Sequence, residues 1–367
     1  AQAVLAQGVT KLDGASLAGL QMRRVESSKY YASYFGHDVK DLDIALASLR
    51  RSHSSVIFLV GDSSLDNKYW FSKTHRALNG YEDFLAPPTM KADVCYWLNY
   101  EAERRGESQL CCLNAAVEAT SLSDRACCWL LAQDRFIRRN ITRNDFLIAS
   151  IGGNDIALKP VLCTCLNMFA LTNCVPQSCI ENCSCGCLPV APPNTCVDCG
   201  CFCCGLPGCL TGLLAWPPSL GYFLDLFGNV VQNYVLRLVG CARPKKVVVC
   251  MIYYPDELPT GSWADGALGA LGYDRNPEKL QAAIRTIFRL GTSRICIPGV
   301  EVVAFPLFEV LDGKTTADYV ARVEPSPSGG AKMAKALMDV LLDVGSDVTS
   351  DSPGPSDSRG PVQHRME

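Results

Sequence analysis

Two short stretches of the chain carry residue types suited to acyl transfer. Gly61-Asp62-Ser63 puts a hydroxyl directly after a glycine and an aspartate. Gly152-Gly153-Asn154-Asp155 puts a side-chain amide directly after a glycine pair. A serine hydroxyl attacks an acyl carbonyl when a nearby base takes its proton. A fixed Asn amide can donate a hydrogen bond to the oxyanion that then develops. Each stretch also has a plain reading, as a turn or a helix cap. Their joint occurrence, each at the end of a predicted strand, favours a shared site.

The elements that must position these residues are legible from hydrophobic pattern. Ser55 to Val60 is a short, branched, apolar run that Gly61 ends, which predicts a buried strand. A helix-compatible stretch over 66–79 follows, whose first amides would favour negative charge beside Ser63. Gln109 to Leu113, Asp145 to Ile151, Lys246 to Tyr253 and Val300 to Phe305 predict four more strands. Helices are predicted at 123–138, 220–238, 276–291 and 328–343, the third with Asn276 as cap, Pro277 in the first turn and Gly291 as its stop. On the last, Met333, Leu337, Val340 and Leu341 form one stripe. Strands alternating with helices argue an α/β fold: a flavodoxin-like, three-layer arrangement with a five-stranded parallel sheet and helices on both faces. In such a sheet, chemistry gathers at the carboxyl ends of the strands. The organisation expected is a lead-in over 1–50, one domain over 51–345 with a Cys-rich insertion over 160–220, and a Ser/Pro/Asp/Gly-rich disordered tail over 346–367.

On these residues the chain resembles the SGNH/GDSL hydrolases, a family of esterases and lipases. Gly61-Asp62-Ser63 matches the family's first block and implies Ser63 as nucleophile. Gly152-Gly153-Asn154-Asp155 matches the third and implies Asn154 as oxyanion donor. The second block, which supplies a Gly amide, is matched by Asn114 to Thr120, with Ala119 at the Gly position. The fifth block reads Asp-x-x-His-Pro-Ser in the family. Here it is Ala321-Arg322-Val323-Glu324-Pro325-Ser326, followed by Gly329-Gly330. Glu324 thus stands where the family has its base, and Asp318 is the nearest upstream carboxylate.

Of the four histidines, His75 and His53 cannot reach the serine in the predicted fold, and only His37 stays open as a replacement. His75 lies 12 residues past Ser63, roughly 18 Å along a helix. His53 lies 10 residues before it, roughly 30 Å along an extended strand. His37 falls in the lead-in and His364 in the tail. A carboxyl with an ordinary pKa of about 4.3 is a weak base toward a hydroxyl. Burial, and a like charge such as Asp318, would raise it.

The formal net charge of −3 supplies no basic stripe, so nucleic-acid binding has no electrostatic support. The chain holds 21 cysteines, 13 of them from Cys163 to Cys209. That segment admits a disulfide-stapled loop, a metal site or membrane contact. Cys196-x-x-Cys199 and Cys201-x-x-Cys204 are separated by Gly200 alone, short for a zinc ribbon. The apolar run 210–224 is broken by Pro217 and Pro218. Residues 1–20 lack the basic start and long apolar run of a secretory signal. The function expected is ester hydrolysis by a serine nucleophile with an altered base, on a small-molecule, lipid or glycan ester, with no metal or organic cofactor. Two alternatives stay open: an impaired relative that binds an acyl or glycan ligand without turnover, and a membrane- or metal-associated protein acting through the insertion.

Overall fold

The structure, a computed structural model, describes residues 23–125, 129–158, 162–182, 219–240 and 242–344. Five parallel strands form the central sheet: β1 (Ser55–Gly61), β2 (Leu110–Asn114), β3 (Phe146–Ser150), β4 (Lys246–Met251) and β5 (Glu301–Pro306). Their spatial order is β2-β1-β3-β4-β5. This is the doubly wound order whose crevice opens where the chain reverses direction across the sheet, between β1 and β3. There Gly61 pairs with Ser150, so the two chemical motifs leave the sheet side by side.

β1 to β4 are buried along their whole length, which explains why they are dominated by apolar residues and thiols rather than alternating with polar ones. The edge strand β5 is partly exposed. Around the sheet stand helices α1 (Val39–Leu49), α2 (Val94–Arg105), α3 (Ala132–Asn140), α4 (Val231–Val239), α5 (Pro277–Leu290) and α6 (Pro327–Leu341). α2 packs on α6, and α3 on α4. The fold is the flavodoxin-like α/β arrangement expected, with helices on both faces. The α6 stripe is buried at Met333, Leu337 and Leu341.

Three local expectations need correction. Residues 66–79 form no α-helix; they make a single 3-10 turn, Lys68–Trp70, and a short strand, Thr74–Arg76, paired antiparallel with Thr89–Lys91. Asp66, Asn67 and Lys68 are fully buried and engaged in tertiary contacts, and those override helix propensity. The helix expected at 123–138 is a 3-10 turn, Ser123–Arg125, followed later by α3. The helix expected at 220–238 is interrupted by a π-helical turn, Leu226–Val230, before α4.

Part of the Cys-rich segment is described. Leu162–Phe169 and Gln177–Glu181 are helical, and Met168, Leu171, Val175 and Ile180 are buried in a second apolar cluster with Phe223, Leu224 and Ile284. Residues 183–218, which carry most of the cysteines and both Cys-x-x-Cys pairs, lie outside the described residues. So do the expected tail over 346–367, with His364, and residues 1–22 of the lead-in. Cys95, Cys111, Cys112 and Cys250 are buried core thiols, whereas Cys296 is exposed.

Candidate active site

The turn after β1 has a glycine for a steric reason. Gly61 holds φ +136°, and a Cβ there would lie 1.7 Å from the Ser150 carbonyl oxygen. Only a residue without a side chain lets β1 and β3 approach this closely while the chain turns toward Ser63. Asp62 then ties the turn. Its Oδ1 accepts from the Ser64 amide at 3.1 Å and from the Ser64 hydroxyl at 2.7 Å. The Gly152 amide also bonds to it. Gly152 has the same need as Gly61: it holds φ +115°, and a Cβ would meet the Phe227 ring at 2.6 Å.

The remaining motif residues cross-link the loops. Asn154 Nδ2 donates to the Thr120 carbonyl at 2.9 Å, which uses one of its two amide hydrogens and leaves the other. Asp155 accepts from the Leu122 amide at 2.8 Å and the Ser123 amide at 3.3 Å, so it holds the loop that follows β2. Gly153 carries no such steric demand, because a Cβ there would find its nearest neighbour at 3.8 Å. Arg125, fully buried, donates to the Gly61 carbonyl at 2.8 Å, the Thr120 hydroxyl at 2.8 Å and the Ser121 carbonyl at 3.1 Å. It fastens the β1 turn to the β2 loop.

Between these loops lies a cavity of about 390 Å³ lined by Ser63, Glu118, Ala119, Asn154, Leu158 and Glu324, with Tyr34, Tyr69, Trp70 and Trp263 around them. Its size suits a small-molecule site. Ala119 sits at φ +56°. In the resemblance its position belongs to glycine, and an L-residue in this left-handed region is strained by roughly 1–2 kcal/mol. The fastenings by Arg125 and Asn154 to the adjoining Thr120 hold it there. Among the described residues, neither the Ala119 nor the Ser63 amide has a hydrogen-bond acceptor. Two main-chain N–H groups and the spare Asn154 hydrogen therefore remain for a ligand oxygen.

Glu324 faces this group. It is buried and lines the same cavity as Ser63. Burial pushes its pKa up to about 8, helped by the like charge of Glu118, while the nearby Ser63 hydroxyl opposes the rise. The loop that carries Glu324 is anchored twice. Asn67 Nδ2 donates to the Pro325 carbonyl at 2.8 Å. Arg322, fully buried at φ +70°, donates to the Asp256 carbonyl at 3.0 Å and pairs with Asp265 at 3.1 Å and Asp274 at 2.9 Å.

Asp318 does not join this group. Its carboxylate accepts from Lys332 at 2.5 Å and Ser328 at 3.1 Å, beside the start of α6. The carboxylates that act most strongly on Glu324 are Glu118, Asp62 and Asp66 instead. The histidines lie elsewhere. His37 is buried, stacked on Tyr30 at 4.0 Å, with Nδ1 2.7 Å from the Tyr30 carbonyl. His53 contacts the Leu49 carbonyl and Asn79. His75 sits on the exposed Thr74–Arg76 strand rather than on a helix.

Sequence reasoning missed Glu118, Arg125 and Arg322. Glu118 was in view as the residue before Ala119. Its Oε1 accepts from Trp70 Nε1 at 2.9 Å, and burial raises its pKa to about 7, with Asp66 adding to the rise. Among the described residues, no group of three or more His, Cys, Asp and Glu is arranged to hold a metal ion, and no helix is long and apolar enough to cross a membrane.

No family model and no curated protein matches the chain. Solved structures do resemble it. Est24, a carbohydrate acetylesterase from Sinorhizobium meliloti, is 14% identical, with 79% of this chain and 98% of that chain covered and a TM-score of 0.38. An acetyl xylan esterase from Geobacillus stearothermophilus is 13% identical over 78% of this chain and 94% of its own, with a TM-score of 0.37. An extracellular lipase from Streptomyces rimosus is 12% identical over 78% and 98%, with a TM-score of 0.37.

Proposed function

We propose that this chain is a serine ester hydrolase of the SGNH type in which Glu324 replaces histidine as the base. The observation that supports it is that Ser63 and a buried Glu324 line one cavity, near enough for the Ser63 hydroxyl to act on the Glu324 carboxyl, and that Ala119 and Asn154 line the same cavity.

The chemistry follows from these positions. Ser63 Oγ attacks the acyl carbonyl carbon, and its proton passes to Glu324. The carbonyl π electrons move to the oxygen, which the Ser63 and Ala119 amides and Asn154 Nδ2 stabilise. Collapse of this intermediate breaks the bond to the alcohol, which leaves with the proton from Glu324. Water then attacks the acyl-serine with the same proton route, releasing the acid and restoring Ser63. A base with a pKa near 8 accepts the proton far better than an ordinary carboxylate, because proton transfer strengthens as the base pKa rises. Asp62, Asp155, Gly61 and Gly152 act in this scheme as supports, and Gly153 has no steric part in it. Asp318, engaged with Lys332, has no catalytic part.

The substrate class is a small-molecule ester, a lipid or glycan ester included. The hydrolase unit takes in 51–345 together with the described part of the lead-in, since Val39–Leu49 packs in the same core and Tyr34 lines the cavity.

Hydrolysis of short-chain p-nitrophenyl esters by wild type and Ser63→Ala tests the reading. The variant should lose turnover by about 10³-fold or more, as removal of a catalytic serine does elsewhere. Equal rates would remove Ser63 as nucleophile.

A further inference from the structure

The catalytic cavity contains more carboxyl groups than the serine chemistry requires. Glu118 and Glu324 both line it, and both are more than nine-tenths buried. Each has one carboxylate oxygen, Oε2, that is buried with no hydrogen-bond partner among the described residues. A buried carboxylate without a partner is strongly unfavourable, and two of them in one cavity repel each other. Lys68, the cation that acts on Glu118, is engaged with Asp66 at 2.6 and 2.8 Å. The groups that act most strongly on Glu324 include no cation at all.

The other walls are aromatic. Tyr34 and Tyr69 meet edge to face, with centroids 4.8 Å apart and planes at 85°. Tyr69 and Trp70 are 6.3 Å apart at 87°. Successive rings at right angles form the corner of a box. Tyr69 and Trp263 stand at its open side, 53% and 44% exposed. Ring faces carry negative potential and attract cations, quaternary ammonium groups above all.

We propose that the cavity of Glu118, Glu324, Tyr34, Tyr69, Trp70 and Trp263 recognises a cationic group, so that the preferred substrate is an ester bearing an alkylammonium. The proposal takes the scissile ester from the serine-hydrolase reading and adds the charge. An anionic substrate would be repelled. A sugar could stack on the rings and donate hydroxyls, but it would supply no counter-charge when the two carboxyls ionise. A cation balances them. It also favours the ionised form of Glu324, which is the form able to take the proton of Ser63.

The test compares acetylcholine with 3,3-dimethylbutyl acetate, which has the same acyl group and nearly the same shape without the charge. At low ionic strength, kcat/KM should favour the cationic ester by tenfold or more in wild type. In Glu118→Gln the ratio should fall toward one, whatever the change in absolute rate. A wild-type ratio near or below one, or a ratio untouched by Glu118→Gln, would overturn the proposal. Calorimetry of tetramethylammonium with the Ser63→Ala variant tests the cation site without turnover. Binding with release of protons near pH 7.5 supports it; no binding at millimolar concentration refutes it. Failure of the hydrolase reading alone would look different: neither ester would turn over in a Ser63-dependent way, while tetramethylammonium would still bind.

Discussion

The two sides of the proposed catalytic cavity are built on different principles. On the nucleophile side, three loops leave adjacent strands and are bonded to each other through motif residues: Asp62 to Ser64 and Gly152, Asn154 to Thr120, Asp155 to Leu122, and Arg125 across them. Close backbone approach governs it, and the residues it demands are nearly fixed in kind. On the base side, one loop reaches in from beyond β5. It is held from behind, by Arg322 against Asp256, Asp265 and Asp274 and by Asn67 on Pro325. Nothing there fixes the identity of residue 324 by contact; what it needs is burial and reach to Ser63. The side ruled by backbone geometry keeps the Gly, Ser and Asn of the motifs it resembles, with Ala119 as its departure, and the side ruled by burial and charge carries Glu324 where the resemblance has histidine.

That contrast can be broken at several points, beginning with the largest effect. Gly61→Ala should prevent the native turn, because the added methyl would overlap the Ser150 carbonyl. A loss of 4 kcal/mol or more, about the upper range for single substitutions, is expected in denaturant unfolding. A variant of wild-type stability would refute the steric account. Asn154→Ala removes one oxyanion donor and should lower kcat by about 10²–10³-fold with the fold retained. A KM effect alone would instead make Asn154 a binding residue.

Smaller and opposite in sign is the effect of Glu324→Gln on stability. The folded-state pKa of Glu324, about 8, lies above its unfolded value. Between those values the unfolded chain has given up a proton that the folded protein keeps, so stability falls as pH rises through this window. Gln does not titrate, so Glu324→Gln should melt higher than wild type at pH 8 and gain little at pH 4. Equal gains at both pH values would contradict the burial argument. Smallest of all, Asp318→Asn should leave kcat/KM within about twofold, since its carboxylate pairs with Lys332 away from the cavity. A large fall would restore it as a partner of Glu324.

Much of the fold was legible because each buried strand is a continuous apolar run ended by a turn. Ser63 and Asn154 could be placed on strand-end loops for the same reason, Ala119 and Glu324 through the resemblance, and the structure gathers all four around one cavity. What escaped sequence reading is what depends on partners distant in the chain. The 66–79 stretch looks helical until Asn67 is seen bonded to Pro325, 258 residues away. Asp318 looked like the neighbour of Glu324 because it is near in sequence, but the intervening turn, with Ala321 and Arg322 both at positive φ, separates their directions. Glu118 was passed over because only the main-chain amide after it was sought.

The pH dependence of kcat/KM on a neutral ester, for wild type beside Glu324→Gln, tests the central claim most directly. With Glu324 as the base, wild-type activity should rise with pH and reach half its plateau near pH 8, and the variant should lose about 10²–10⁴-fold at the plateau. A half-rise at pH 4 to 5, or a variant that keeps the full rate, would show that another group takes the proton of Ser63.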